Sequence, residues 1–377
     1  MKSRTQFLVL AVLFFLLSCA HYPASIDEAK WREQVEAVKP GSLYAPHFQD
    51  GRYFNPWMDQ EHGGFLRLVK MSFSESTLYT QEEMDFKPRF VPGLKDRIEA
   101  APSGDFIAWI GHSTFLIRVR GIYILTDPIF SERALLPKRL TPPAITAEEI
   151  NGISPEVNIL LSHNHYDHLD VRSMKELSDK SKVIVPLGLK KHVEKMNKTH
   201  VKEMDWWQSA DIGNDVRVFC LPAQHWSRRM TQSTNSSLWA SYMIVTPEVT
   251  IYFGGDSGYF TGYKEFGKLF PSITYAIIPT TSLNPRAYMH YAHMNVDEAL
   301  DAFQDLGAKY FIPTHWGTFQ ISTEPAGYPI VELKRKMELL NLNPSRYLIM
   351  DLGTLLPVEN AGTGVLPAAG LAAAAGR

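Results

Sequence analysis

Three histidines and one aspartate fall within six residues, directly after the apolar run 157–161: His163, His165, Asp167 and His168. Imidazole nitrogens and carboxylate oxygens are good ligands for Zn²⁺ and related divalent ions. His163 and His165, two positions apart, can turn to one ion from an extended loop, and Asp167 and His168 point to a neighbouring site. A lone histidine on an apolar strand is more often a core residue than a ligand. Four such groups in this order predict a metal site.

Three more candidate ligands follow apolar runs elsewhere in the chain. They are His225 after 216–221, Asp256 after 249–253 and His315 after 309–312. Loops at strand ends commonly carry functional groups, because the sheet fixes their position while the loop stays accessible. Each of them alone would be unremarkable. Their repetition at strand ends indicates one site assembled from distant parts of the chain.

The elements that position these side chains read as short strands with helices between them. Strands are predicted at 106–110, 114–119, 122–125, 157–161, 182–185, 216–221, 238–245, 249–253, 275–278 and 309–312. Helices are predicted at 27–38, 171–177, 187–196 and 296–305. Strands joined in places by short turns, with helices interspersed, indicate sheets covered by helices.

The composition is that of a folded protein without a strong charge. Of the 377 residues 45% are hydrophobic, 12% aromatic and 21% charged, and 38 Lys and Arg oppose 40 Asp and Glu for a formal charge of −2. No long basic run appears, so nucleic-acid binding is not expected. The second of the two cysteines, Cys220, lies in an apolar run and is predicted to be a small buried side chain.

The N-terminus has the pattern of an export signal. Lys2 and Arg4 precede the apolar run 7–17, which is too short for a membrane-spanning helix. The following Leu16-Leu17-Ser18-Cys19 resembles the lipobox of bacterial lipoproteins, which implies that Cys19 carries a lipid. Localisation in the cell envelope is then expected, on the outer membrane facing the periplasm. A plain secretory signal or an uncleaved anchor is the alternative.

The expected domain organisation follows from these features. Residues 1–19 are a signal, 20–50 a spacer, 51–356 the folded domain with an N-terminal flap at 51–100, and 357–377 a disordered Gly/Ala-rich tail. Aromatic and apolar residues recur in 53–73 with Arg67 and Lys70 interleaved, and this segment is either a membrane-touching surface or a flap packed on the core.

The sequence resembles the metallo-β-lactamase superfamily in its His-x-His-x-Asp-His motif at 163–168. Within that superfamily the nearest resemblance is to the N-acylphosphatidylethanolamine-hydrolysing phospholipase D family, over most of 51–356. The matching segments are 54–57, 109–114, 125–131, 162–170, 224–227, 255–259 and 315–319.

This resemblance implies an α/β fold, the four-layer αββα sandwich, with two zinc ions at the sheet edge. It implies one zinc held by His163, His165 and His225, a second held by Asp167, His168 and His315, and Asp256 as the bridge. Nitrogen and oxygen ligands suit zinc best, although iron and manganese are compatible. A family histidine near the site corresponds to His293, for phosphate binding or proton transfer, although a structural role and the adjacent His290 are alternatives. A homodimer is also implied.

Each of several other residues near the motifs has two possible roles. Asp127 either orients a ligand histidine or forms the turn before Pro128, and Asp170 either does the same work or caps the next helix. His112 and Trp109 belong to the pattern near the site, but a role in a hairpin suffices for them. Trp206 and Trp207 are expected to pack in the core rather than to line an acyl groove.

The expected function is hydrolysis of a phospholipid phosphodiester. By resemblance, N-acylphosphatidylethanolamine gives N-acylethanolamine and phosphatidic acid through a hydroxide held between two zinc ions, with Asp167, Asp256 and His293 as catalytic residues. Two cations about 3.5–4 Å apart can activate a shared water and bind phosphoryl oxygens. The alternatives are the same fold acting on a lactone, a β-lactam or another phosphodiester, and a non-enzymatic zinc-binding envelope protein.

Overall fold

The computed structural model describes residues 26–60, 78–101, 104–281 and 284–359. The strands are β1 Phe48–Gln49, β2 Arg52–Tyr53, β3 Phe106–Gly111, β4 Thr114–Val119, β5 Ile122–Thr126, β6 Asn158–Leu160, β7 Lys182–Pro186, β8 His200–Met204, β9 Ser209–Asp211, β10 Arg217–Leu221, β11 Ser241–Val245, β12 Thr250–Phe253, β13 Tyr275–Pro279, β14 Tyr310–Thr314 and β15 Leu355–Pro357. The helices are α1 Glu28–Glu36, α2 Gln81–Asp85, α3 Leu94–Ala100, α4 Ala147–Ile153, α5 Val171–Glu176, α6 Lys190–Glu194, α7 Gly262–Leu269, α8 Arg286–Met289, α9 Val296–Leu306 and α10 Tyr328–Leu339.

Two mixed sheets carry the fold. The first has the strand order β15-β3-β4-β5-β6-β7-β8, and the second has the order β14-β13-β12-β11-β10-β9. In the first sheet β3, β4 and β5 are antiparallel neighbours, and β5 to β8 run parallel. In the second sheet β10 to β12 are antiparallel, whereas β12, β13 and β14 are parallel.

The side chains of β3 alternate between two hydrophobic clusters, and this alternation shows how the layers stack. Ile107 and Trp109 join the hydrophobic cluster between the two sheets, together with Val218 of β10. Phe106 and Ala108 point the other way, into a second cluster that includes residues of α3, α4, α5 and α6. Successive side chains of a strand leave on opposite faces, so one strand serves two layers. With α7 and α9 packed on the second sheet, the arrangement is the αββα sandwich.

Local signals fix the helices that flank the site. The side chain of Asn295 accepts from the backbone N–H of Glu298, whose carboxylate reaches back to the Asn295 N–H, so a capping box starts α9. Gly307 ends α9 in the left-handed conformation, at φ 60°. At α5, Asp170 is the N-cap and accepts from the Ser173 N–H, which confirms its capping role.

Parallel pairing brings the carboxyl ends of several strands to one edge. β5 ends just before Asp127, β6 ends before the 163–168 loop, β12 ends before Asp256, and β14 ends at Thr314, before His315. In α/β sheets this edge is where ligand sites form. The topology therefore delivers the predicted ligand segments to one place.

Part of the expected spacer is packed onto the domain, which corrects that expectation. Trp31 of α1 and Leu43 are buried in the hydrophobic cluster that also contains residues of α7 and α9. The Trp31 indole donates to Glu298 at 2.8 Å, and Glu28 accepts from Arg286 at 2.7 Å. The apolar residues of 26–50 cover α9 and so bury surface that a solvated spacer would leave exposed.

The expected tail is also corrected at its start. Pro357 is in β15, paired with Phe106, and Glu359 forms an ion pair with Lys309 at 2.9 Å. Backbone pairing with β3 accounts for this extension of the sheet. The remaining tail, Cys19 with its signal, and residues 61–73 of the aromatic segment lie outside the described residues. Among the helices described, none has the length and apolar character needed to cross a membrane.

Candidate metal centre

Four predicted ligands meet in a first group: His163, His165, His225 and Asp256. His165 Nδ1 lies 2.9 Å from His163 Nε2 and 3.2 Å from His225 Nε2. Asp256 Oδ2 lies 3.8 Å from His225 Nε2 and 4.0 Å from His163 Nε2. These residues come from the ends of β6, β10 and β12, so both sheets contribute to the group.

A second group contains the other three predicted ligands and His112. Asp167 Oδ2 is 3.2 Å from His315 Nε2 and 3.4 Å from His168 Nε2. The two imidazole nitrogens of His315 and His168 are 3.1 Å apart. His112 Nε2 completes the group at 3.0 Å from Asp167 Oδ2.

Asp256 stands between the two groups, as expected of a bridge. Its Oδ2 is 3.2 Å from His168 Nε2, and its Oδ1 is 3.3 Å from His315 Nε2. The same carboxylate belongs to the first group through Oδ2. The seven predicted ligands therefore converge on one pair of adjoining positions.

The donor set fits metal ions better than it fits hydrogen bonds among the residues themselves. Two nitrogens bound to one tetrahedral Zn²⁺ at about 2.0–2.1 Å are separated by about 3.3 Å, close to the spacings above. His165 Nδ1 faces two other ring nitrogens, although one nitrogen offers only one proton or one lone pair. Asp256 Oδ1 is buried without a hydrogen-bond partner. Cations at the two positions would use its lone pair and that of His165 Nδ1.

Burial sets the protonation of two predicted ligands, His163 and His225, in the way that ligation requires. Desolvation lowers the pKa of His163 and of His225 well below the ordinary value, so both rings are neutral near pH 7 and can ligate. For Asp256, burial alone would raise the pKa, but His168 and His315 hold it well below its usual range. The bridging carboxylate is therefore ionised.

Asp127 contacts the predicted ligand His168, which favours the first of its two predicted roles. It is fully buried after β5, and its Oδ2 lies 2.7 Å from Nδ1 of His168. The backbone N–H and the hydroxyl of Ser162 donate to the same carboxylate. A carboxylate behind a ligand imidazole fixes the ring so that Nε2 faces the metal.

Close packing between the two sheets also shapes the loop after β12. A Cβ on Gly255 would lie 2.5 Å from Ser162 Cβ, and the residue has φ 57°. Only glycine accommodates both conditions. Gly255 thus lets Asp256 approach the 163–168 loop.

A polar network holds His225 from behind. Its Nδ1 contacts the carbonyl of Ala292 at 3.1 Å, which leaves Nε2 for the metal. The amide of Asn55 donates to the His225 carbonyl at 3.2 Å and to the Tyr291 hydroxyl at 2.6 Å. Trp57 in the same N-terminal segment donates to Gln224 at 3.0 Å. The 54–57 segment therefore braces the site.

Arg229 supports the histidine loop from its outer side. This buried guanidinium donates to the carbonyls of Asn164 and Leu169, both at 2.8 Å. It also lies 4.1 Å from the ring centroid of Tyr166. Arg229 was not predicted as part of the site, because an isolated arginine far along the chain gives no spacing signal.

His293 lies beside Asp256, near the site as predicted. Its Nδ1 is buried, has no hydrogen-bond partner, and lies 4.0 Å from Asp256 Oδ2. Burial lowers its pKa to about 4, so the ring is neutral near pH 7. The adjacent His290 instead turns its ring edge towards Trp31, at 4.6 Å between centroids.

His112 was predicted to need no more than a hairpin role, and the structure adds it to the second group. It turns between β3 and β4 at φ 53°, and its carbonyl accepts from the Thr314 hydroxyl at 2.9 Å. A non-glycine residue with positive φ often marks a functional constraint. The Gly-His-Ser sequence between two strands was the available signal. Trp206 and Trp207, by contrast, are buried in the core as expected.

Comparison with known proteins agrees with this geometry. Residues 123–316 match the family model described as the β-lactamase superfamily domain. An uncharacterised Mycobacterium tuberculosis protein is 34% identical to this chain over a stretch that covers 60% of this chain and 62% of that relative's length. N-acyl-phosphatidylethanolamine-hydrolyzing phospholipase D 1 of Caenorhabditis elegans is 32% identical over 67% of this chain and 76% of its own.

A solved structure with the same fold is Igni18, a metallo hydrolase from the archaeon Ignicoccus hospitalis. It has a TM-score of 0.51 and 20% identity, over 68% of this chain and 99% of its own. Two adjoining His/Asp groups on this sandwich, together with these relatives, define the family. The chain belongs to the metallo-β-lactamase superfamily of metal-dependent hydrolases, and within it to the family of the N-acylphosphatidylethanolamine-hydrolysing phospholipases D.

Proposed function

We propose that this protein hydrolyses the phosphodiester of N-acylphosphatidylethanolamine to N-acylethanolamine and phosphatidic acid, with zinc as its metal. The observation that supports this most is the carboxylate of Asp256 between two complete His/Asp groups. The C. elegans relative carries that activity in its name. The chain spans 62% of the length of the M. tuberculosis relative.

The reaction places simple demands on the site. A water oxygen bonds to phosphorus, the bond between phosphorus and the ethanolamine oxygen breaks, and the leaving oxygen takes a proton. Two bound cations would supply a more acidic water and a positive field for the phosphoryl oxygens. The remaining work falls to residues of the chain.

Three side chains would do that work. Asp256 and Asp167 hold their negative charge against the histidines of the two groups, and so keep the cluster assembled around the cations. His293 has an unpartnered Nδ1 that lies 4.0 Å from Asp256 Oδ2. There it would bind a substrate oxygen or carry the proton for the leaving group. General acid–base assistance of this kind contributes roughly 10²- to 10⁴-fold.

The test is turnover of purified protein loaded in turn with zinc, iron or manganese. N-acylphosphatidylethanolamine, a simple aryl phosphodiester and a lactone are compared as substrates. We expect the phospholipid to be preferred, and His165→Ala to lose both turnover and one metal equivalent while its circular dichroism stays native. Turnover of the lactone alone would reject the phosphodiesterase proposal, and metal binding without turnover of any substrate would favour a non-enzymatic role.

His293 and His290 form a matched pair for the proton-transfer role. His293→Ala should lower kcat by about 10² or more, whereas His290→Ala should keep most of it, because that ring faces Trp31. Equal losses in both variants would remove His293 from the mechanism.

We also propose that a lipid on Cys19 holds the enzyme on the outer membrane, facing the periplasm. Mass spectrometry of the N-terminal peptide from the native host tests this. An unmodified Cys19, or cleavage elsewhere, would exclude it.

A further inference from the structure

A short closed loop after β5 presents leucines to solvent. The backbones of Arg133 and Lys138 form an isolated antiparallel β-bridge across it. The Ala134 N–H donates to the Pro137 carbonyl at 3.0 Å. At the tip, Leu135 is 48% exposed and Leu136 is 77% exposed. Large apolar side chains are therefore held in the solvent by an ordered turn.

The backbone of this tip is strained in order to do so. Leu135 has φ 60°, a conformation that bulky residues rarely adopt. The Arg133 guanidinium fixes the turn by donating to the Leu136 carbonyl at 2.8 Å. Strain that persists in a well-tied turn points to a use for the displayed side chains.

The loop stands beside the metal centre. Leu135 lines an open cavity of about 550 Å³ together with Tyr166 and Arg229. Tyr166 separates the ligands His165 and Asp167 in the chain, and its hydroxyl accepts from the Met230 N–H at 3.0 Å. Met230 is itself 83% exposed. Leu135 therefore shares a cavity with Tyr166, and the exposed Met230 follows a backbone N–H that contacts the same tyrosine.

Cations surround these tips. Arg133, Arg172 and Lys175 line the same cavity, and the carboxylates there are already engaged. Glu176 pairs with Arg172 at 2.7 Å, and Asp170 caps α5. Within the described part of the chain, Arg133 and Lys175 have no carboxylate partner.

We propose that this leucine-tipped surface (Leu135, Leu136 and Met230 with Arg133, Arg172 and Lys175) docks the enzyme on a phospholipid bilayer. The apolar tips enter the boundary between headgroups and acyl chains, while the cations lie at the level of the phosphates. Protruding single side chains beside Arg133 and Lys175, which have no carboxylate partner among the described residues, match an anionic lipid surface. The inference deepens the proposed function, on which it rests for its choice of a lipid occupant.

The test places a fluorescent probe on a cysteine at position 136 in the full-length chain. Leu136→Cys and the control Leu339→Cys are labelled in a Cys19→Ser background, and the buried Cys220 does not react. Both sites are 77% exposed. With phosphatidylcholine–phosphatidylglycerol vesicles that carry a lipid quencher, the probe at 136 should be quenched, and the probe at 339 should not.

Charge reversal gives an independent measurement. Lys175→Glu should weaken partition to anionic vesicles about fivefold or more. All variants share one N-terminal segment, so differences between them report this surface. Equal quenching at 136 and 339, or a probe at 136 already shielded without vesicles by another segment or a second copy, would overturn the proposal.

Activity on detergent-dispersed N-acylphosphatidylethanolamine separates the two proposals. Turnover in detergent without quenching at 136 would reject the docking surface and keep the function. Quenching at 136 without turnover of any phospholipid would reject the function and keep the surface.

Discussion

The carboxylate of Asp127 lies 2.7 Å from Nδ1 of His168, and both side chains are fully buried. Burial raises the pKa of Asp127, and the hydrogen bonds from His168 and Ser162 oppose that rise. The pair therefore depends on its surroundings to keep the carboxylate charged and the ring aligned.

Asp127→Asn tests this alignment, because it keeps the shape and removes the charge. We expect metal affinity at the second group to fall about 10- to 100-fold, measured by competition with a metal indicator. Asp305→Asn is the control, since that carboxylate contacts Tyr259 rather than a ligand. Unchanged affinity in Asp127→Asn would show that the ring is held without this contact.

His112→Asn should weaken the second group. Asparagine tolerates the left-handed backbone at this position but lacks the ring nitrogen that lies 3.0 Å from Asp167. Binding of one metal equivalent should weaken about 10- to 100-fold, while the other equivalent stays bound. His47→Asn, which removes a similar His–Asp pair with Asp205 at 2.8 Å, should leave both equivalents. Two tightly bound ions in His112→Asn would contradict the assignment.

Metal removal should lower stability. Ions that bind the native groups add about 4 kcal/mol at a free concentration 1,000 times Kd, because the unfolded chain does not assemble the ligands. Urea unfolding with zinc and with a chelator measures the difference. The zinc-dependent part should shrink in His165→Ala. Identical unfolding curves with and without chelator would argue against an assembled site.

Trp31→Ala should destabilise the protein by about 3–5 kcal/mol. The indole fills the core beside α9 and donates to Glu298, so its loss leaves a cavity and a buried carboxylate short of one donor. Leu339→Ala, at a site 77% exposed, should change the free energy of unfolding by no more than about 0.5 kcal/mol. If urea titration gave equally small changes in the free energy of unfolding for both variants, residues 26–50 would be a spacer rather than part of the domain.

The sequence predicted the strands near the site because their apolar runs end at polar loops. The strand at 114–119 agrees in both bounds with β4, and the run 249–253 agrees with β12 to within one residue. The ligand residues could be found for the same reason, since each His or Asp follows a buried run. The spacing of apolar residues and the polar residues that end each run are local properties of the sequence, so they can be found in a single chain.

Contacts between distant segments could not be predicted in this way. Trp31 looks like a surface residue of a polar helix until α9 is packed beside it. Arg229 and Asn55 act on the ligands through backbone carbonyls, which carry no residue-type signal. β8, β9 and β15 were missed, since short strands such as β9 and β15 are defined by their neighbours rather than by their own alternation.

The position of each ligand in the chain has a consequence for how the centre matures. The first group is complete once Asp256 has been synthesised, whereas the second needs His315, which follows the last strand of its sheet. One ion can therefore be captured by an earlier stretch of the emerging polypeptide than the other.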